Sequence, residues 1–314
     1  MQNDQAIVKE LEKQIAELEG TASSAALQEE VERLRQQLVA LRQKVSGSRQ
    51  DAWERVLLAR HPQRPYTLDY IQLLFSDFIE FHGDRRFADD AAMVAGLAQF
   101  EDRPVVVVGH QKGRDTKQKL LRNFGMVNPE GYRKALRIME LGSKFGLPIL
   151  CLVDTPGAYP GIGAEERGQA EAIAYNLKEI CKLRVPLVVV IHGEGGSGGA
   201  LAIAVGDEVL MHENAVYSVI SPESCSSILW RDWDHKQEAA RALKMTAEDL
   251  YRLQIVDQIV PEPAGGAHMD HTQAADLLRP VLRNCLERLG KLAVPDLLKR
   301  RQEKLRRLAT FVSE

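Results

Sequence analysis

The apolar positions of the chain follow different rhythms in different stretches, and each rhythm predicts its own kind of element. Leu27, Val31, Leu34, Leu38, Leu41 and Val45 recur in alternating steps of four and three. That spacing lays one apolar seam along a helix. Ile7, Leu11 and Leu18 form a shorter stripe, which GTASS at 20–24 interrupts. The pattern predicts two amphipathic helices folded as a hairpin over 1–46, either an arm packed on its own body or a subunit contact. A connecting region follows at 47–93. Pro62 and Pro65 forbid a long regular helix there, since proline lacks the amide and clashes with the preceding turn. Thr67 reads as the N-cap of a helix from Leu68 to about Phe81.

From about 94 the texture becomes α/β. VVVVGH at 105–110, ILCLVD at 149–154, LVVVIH at 187–192 and EVLMHE at 208–213 are continuous apolar runs. Such runs suit strands buried on both faces. Between them, Asn128-Pro129-Glu130 opens a helix reaching about Phe145. Ala170, Ile173, Ala174, Leu177, Ile180 and Cys181 make the apolar face of another. This alternation predicts a core at 94–262 built on a largely parallel sheet with right-handed crossovers. Helix resumes at 236–254, and a short strand, IVDQIV at 255–260, stops at Pro261 and Pro263. The last helical region, 263–314, carries ten Lys/Arg against three Asp/Glu between Arg279 and Arg307. It reads as a solvated basic face or as a contact for an acidic partner.

Composition narrows the function. The 314 residues are 45% hydrophobic, which excludes wholesale disorder. With 41 Lys+Arg against 44 Asp+Glu the net charge is −3, so no dedicated nucleic-acid binding is expected. The longest apolar runs, VVVV at 105–108 and LPILCLV at 147–153, fall far short of the ~20 residues of a membrane span. The first residues lack a basic flank followed by an apolar core, so no signal peptide and a cytoplasmic location are expected. Cys151, Cys181, Cys225 and Cys285 lie far apart and no CxxC exists. Neither a zinc ribbon, another metal site nor a disulfide scaffold is expected, and the cysteines read as small buried hydrophobes.

Candidate chemistry sits in two loops, each following a buried strand. DTPGAYPGIGAEERG at 154–168 leaves a strand at Asp154 and enters a helix near Glu165. GEGGSGGA at 193–200 opens a helix at about Gly199. A strand, a glycine-rich turn and a helix start together aim unpaired backbone N–H groups at one point. The P-loop pattern is absent, as is a G-x-G-x-x-G opening the first βα unit, so nucleotide hydrolysis is not expected. An oxyanion hole needs only amides aimed at developing negative charge. Tight helix–strand packing would also explain the glycines. Gly195-Gly196-Ser197-Gly198-Gly199 is moreover a literal G-x-S-x-G, the nucleophile elbow of serine hydrolases. Asp257 and His268 are then the later triad candidates, so a hydrolase using Ser197 stays open. KGRDTKQKLLR at 112–122 reads as a solvated loop, or as an attraction for an anionic substrate tail through Arg114, Lys117 and Lys119.

Several longer stretches carry a resemblance: ARHPQRPYTLDYI at 59–71, GHQKGRDTK at 109–117, NFGM at 123–126, PEGYRKALR at 129–137, VDTPGAYPGIGAEERGQAEAIA at 153–174, GEGGSGGALAI at 193–203 and YSVISPE at 217–223. Over about 30–300 the chain resembles the carboxyltransferase α subunits of bacterial acetyl-CoA carboxylase. The resemblance implies an α/β, crotonase-like fold of repeated ββα units. It implies carboxyl transfer from carboxybiotin on a biotin carboxyl carrier protein to acetyl-CoA, giving malonyl-CoA for fatty acid synthesis. The implied partners are a zinc-bearing carboxyltransferase β subunit in an α₂β₂ assembly, the carrier protein and biotin carboxylase, with no cofactor held directly. Gly198 and Gly199 are implied as the hole for the biotin ureido oxygen, with Gly195, Gly196, Pro156, Gly157, Ala158 and Tyr159 lining the biotin side. The enolate hole falls to the β subunit, and Ser197 becomes a small polar spacer. SPESC at 221–225 departs from the family's usual SPEGC, so Ser224 is expected to alter a local turn.

Overall fold

The computed structural model describes residues 51–308. The hairpin expected over 1–46 lies outside them. The first described elements are α1 (Ala52–Ala59) and α2 (Thr67–Leu74), followed by strands β1 (Ser76–Glu80), β2 (Met93–Phe100) and β3 (Arg103–His110). Then come α3 (Thr116–Leu121), a 3₁₀ turn at Asn123–Gly125, α4 (Pro129–Lys144), β4 (Ile149–Thr155), α5 (Ile162–Glu166) and α6 (Gln169–Ile180). The next unit is β5 (Leu187–Gly196), α7 (Ser197–Leu201), β6 (Glu208–His212) and β7 (Val216–Ser218). Helices α8 (Pro222–Trp230), α9 (Lys236–Ala242) and α10 (Ala247–Arg252), strand β8 (Gln258–Val260), and helices α11 (His271–Gly290) and α12 (Val294–Arg306) complete it.

The sheet runs β1-β2-β3-β4-β5-β6-β8, with β7 pairing on the far end of β5. Pairings β1–β2 and β2–β3 are antiparallel, and from β3 onward the strands are parallel. Period-two alternation splits each apolar run between two cores. Val106, Val108, Ile149, Cys151, Val153, Val189 and Ile191 pack under α4 and α6. Val105, Val107, Leu150, Leu152, Val188 and Val190 pack with residues of α2, α11 and α12. Double coverage is why these strands are apolar at every position.

Several expectations need correction. The helix expected to reach Phe81 ends at Leu74 and gives way to β1. Thr67 is its first residue, not its cap; Tyr66 takes that place and its amide donates to Asp69 Oδ2 at 2.7 Å. The Thr67 hydroxyl is instead spent on the His110 carbonyl, 2.5 Å away. Strand β8 covers only 258–260, because the Ile255 and Val256 amides turn back to Leu250 O and close α10. Residues 116–121 are helical, not a loop: Asp115 caps them by accepting the Gln118 amide at 2.8 Å. Ser224 sits in the first turn of α8, donating its amide to Ser221 Oγ at 3.1 Å, so no special turn is needed there. Three cysteines are buried and Cys181 is partly so, all as free thiols.

The basic C-terminal region is in part the expected solvated face, with Lys291, Lys299, Arg306 and Arg307 exposed, but several of its cations are spent within the chain. Arg301 is wholly buried. Its Nε and one terminal nitrogen meet Asp207 at 2.9 and 2.7 Å, and its remaining N–H groups reach the Ile180, Leu183 and Val185 carbonyls. Arg288 and Arg300 converge on Glu208, and Lys304 pairs with Asp257. These four cations of α11 and α12 thus answer carboxylates at the start of β6 and just before β8.

Candidate active site

Strands β4 and β5 are parallel neighbours with Thr155 beside Gly195, so both candidate loops start side by side. The glycine-rich stretch is partly strand. Residues 194–196 extend β5 past its pairing with β6 and pair instead with Val216–Ser218 of β7. The chain then turns at Ser197, whose φ is 50°, into α7. A Cβ placed on Gly196 would fall 2.2 Å from Pro156 O, and one on Gly199 would fall 2.4 Å from both Ala158 N and Gly157 C. Contacts that short do not occur, so the first turn of α7 lies against the 156–158 backbone only because these positions lack a side chain. Gly198 differs, since its nearest neighbour would be Ile173 at 3.7 Å. Gly157 has φ +153°, a conformation that favours glycine. Gly195 lies against the Tyr217 ring. The Tyr159 amide donates to Val127 O at 3.0 Å, and Gln169 Nε2 holds both the Val127 and Tyr159 carbonyls. The two loops are therefore packed together into a single wall. Beside them opens a cleft lined by Pro156, Glu194–Ser197 and Ser218–Pro222.

A ladder of charges supports the floor. Lys112 Nζ lies 2.7 Å from Asp154 Oδ1 and 2.9 Å from Glu194 Oε1. Arg60 Nε lies 2.6 Å from the other Glu194 oxygen and also pairs with Glu223. Burial alone would discharge Lys112, but Asp154 and Glu194 outweigh it and raise its pKa. Burial likewise works against the Glu194 carboxylate, and Lys112 and Arg60 reverse the balance and lower its pKa. Both groups stay ionised at neutral pH, which makes the ladder a brace and a poor proton donor or acceptor.

Three buried histidines stand behind it. His110 Nε2 lies 3.2 Å from Gly199 O, and His192 Nε2 lies 3.4 Å from Thr67 Oγ1. Tyr70 meets the His192 and His212 rings edge-on at 5.1 and 5.6 Å. Burial holds His110 and His212 at about 4, and His192 also falls well below its ordinary value. An unfolded histidine titrates near ~6.5. Between those values the unfolded chain binds protons that the folded one does not. Stability is therefore full above pH 6.5 and lost as pH falls toward 4. Glu262 shifts in the same sense: burial opposes its charge, but Arg64, bonded to both its oxygens, overrides this. Thermal melts across this window should show Tm falling with acid, with more than one proton taken up on unfolding. A flat Tm would mean that these imidazoles titrate normally in the fold.

The predicted cations separate. Arg114 is engaged within the chain, pairing with Asp69, donating to Pro62 O at 3.1 Å and lying 4.6 Å over the Tyr66 ring. Lys117 lies exposed on α3 and Lys119 is half-buried there. The hydrolase candidates do not assemble as a triad. Asp257 takes Lys304 and the Val209 amide, and the His268 ring lies tilted against His61 with centroids 3.9 Å apart. Sequence reasoning missed Arg60, Lys112, Asp154 and Glu194. Their only signal was charge at strand ends and beside prolines.

A family model described as acetyl co-enzyme A carboxylase carboxyltransferase-like matches residues 1–309. The acetyl-coenzyme A carboxylase carboxyl transferase subunit alpha of Geobacter sulfurreducens is 60% identical over 260 residues, covering 83% of this chain and 82% of that one. The protein of the same name in Geobacter metallireducens is 54% identical over 305 residues, covering 97% and 96%. Among solved structures, transcarboxylase 12S superposes with a TM-score of 0.58 at 19% identity, over 71% of this chain and 41% of that one. A Pseudomonas malonate decarboxylase hetero-tetramer, solved with coenzyme A, gives 0.58 at 16% identity over 77% and 97%. At these identities the structural likeness speaks for fold alone, and that fold is crotonase-like.

Proposed function

The chain belongs to the acetyl-CoA carboxylase carboxyltransferase family, and from that premise we infer how its site works. It is the carboxyltransferase α subunit, an enzyme of biotin-dependent carboxyl transfer that works in a multi-subunit complex. The reaction forms malonyl-CoA from acetyl-CoA. Carboxybiotin, delivered on the carrier protein, supplies the carboxyl group and then a basic nitrogen for the acetyl methyl proton. What remains for this chain is to bind, orient and hold negative charge. The first-turn amides of α7, at Gly198 and Gly199, lack intrahelical acceptors and suit the ureido oxygen. Residues 156–159 and Gly195–Gly196 make the wall for the bicyclic ring. Lys117 and Lys119 suit the anionic coenzyme A tail, while Arg114 steadies the start of α2. The enolate hole, a structural zinc and the α₂β₂ contacts fall to the β subunit, and biotin carboxylase recharges the carrier. A cytoplasmic setting accords with this chemistry and with the absence, among the described residues, of any helix able to cross a membrane.

The observation that carries this reading is the backbone contact of Gly199 with Gly157 and Ala158. It fuses two strand ends into one amide-lined wall without a paired acid and base. The test is reconstitution with a candidate β subunit and assay of carboxyl transfer from malonyl-CoA to biotin. The chain alone should be inactive and the complex active. Ser197→Ala should stay within about threefold of wild type, since Ser197 is a spacer. Loss of nearly all activity, with fluorophosphonate labelling of Ser197, would reinstate the hydrolase.

A further inference from the structure

Thr155 ends β4 with its side chain wholly buried. Its Oγ1 lies 2.7 Å from Gly125 O, 2.8 Å from Gly157 O and 3.1 Å from Gly157 N. A threonine hydroxyl has one proton and two lone pairs. The proton serves one of the two carbonyls, and a lone pair accepts the Gly157 amide. Both neighbours so joined are in unusual conformations. Gly157 has φ +153°, and the turn before it has φ 45° at Asn123, 57° at Phe124 and 81° at Gly125. Left-handed backbone at a residue with a side chain is strained and persists only where its surroundings over-determine it.

We propose that Thr155 is a positioning residue for carboxyl transfer, its hydroxyl locking the 156–158 loop to the 123–125 turn so that the α7 amides stand at one fixed place. The path is short. Thr155 holds Gly157, and Gly157 is the backbone on which Gly199 rests. Thr155 is itself buried away from solvent, and its bond to the buried Gly125 gives the NFGM stretch of the sequence a task. The inference rests on the carboxyltransferase reading above.

Thr155→Val and Thr155→Ser test it in the complex with the β subunit. Valine keeps the shape and deletes the hydroxyl, whereas serine keeps the hydroxyl and deletes a methyl. A displacement of about 1 Å can cost ~10²-fold in rate. Thr155→Val should therefore lower kcat by about 10- to 100-fold. KM for malonyl-CoA should move by less than about threefold, and the complex should keep its size and circular dichroism. Thr155→Ser should recover to within about threefold of wild type. A Val variant as active as wild type, or equal losses in Val and Ser, overturns the proposal. So does a Val variant that fails to assemble, since the hydroxyl would then be holding the fold and not the site. An inactive wild-type complex would refute the carboxyltransferase reading itself, before either variant is compared.

Discussion

Gly199→Ala is expected to lower kcat of the reconstituted complex by ~10²–10³, while Gly198→Ala, one residue away, costs far less. Removing one oxyanion-hole donor is worth about 3–4 kcal/mol of transition-state stabilisation. An alanine keeps the amide but cannot keep its place. Its Cβ would sit 2.4 Å from two backbone atoms of 157–158, whereas at Gly198 the nearest atom is 3.7 Å away. Gly199 has ordinary backbone angles, so the penalty is one of contact and not of φ. Relief requires α7 to back away from the loop, carrying its first-turn amides with it. The comparison should be made on folded, assembled complexes, with KM for the coenzyme A substrate nearly unchanged. Equal losses at 198 and 199, or a Gly199→Ala complex near wild type, would show that the wall can yield without moving the amides.

The second large effect concerns stability. Arg301→Met should destabilise the chain by about 3–5 kcal/mol, the usual cost of stranding one partner of a buried ion pair. At ~2–4 °C per kcal/mol for a chain of this size, Tm should drop by roughly 10 °C. Arg301→Lys should rescue little of this. The guanidinium places its donors on two Asp207 oxygens and three carbonyls, and an ammonium has only three donors from one point. Thermal unfolding of the three proteins decides the matter. A lysine variant as stable as wild type would mean that charge alone, without the fork geometry, seats α12.

The parallel strands were legible because burial on both faces leaves an unbroken apolar run, as at 105–108 and 187–191. Strands β1 and β2 were not. Ser76–Glu80 is half polar and follows a helix with no proline or glycine to mark the end, and Met93–Phe100 is built of Ala and Gly as much as of strand formers. The site was legible as two loops, since strand, glycine and helix start leave a local signature. Their fusion was not, because it depends on a parallel register between residues 40 apart. The ladder Arg60–Glu194–Lys112–Asp154 was hidden for the same reason, as each pair spans 42 to 134 positions. The basic tail was only partly legible, because charge counts say nothing about which carboxylates wait elsewhere. Only the fold reveals that Asp207 and Glu208 do.

That pairing also sets a timetable. Arg301 and Asp207 are separated by 94 residues. At ~5–20 residues per second of synthesis, about 5–20 s elapse between the two leaving the peptidyl-transferase centre. Through that interval the nascent chain holds the acidic end of β6 without its counter-charge, and the carbonyls of Ile180, Leu183 and Val185 without their donor. Strand β5, whose Leu187 amide donates to Asp207 and whose tip carries the glycine-rich turn, therefore waits on α12. Nascent chains arrested before residue 301 should be more easily cut by protease within 180–210 than those arrested after α12 is free.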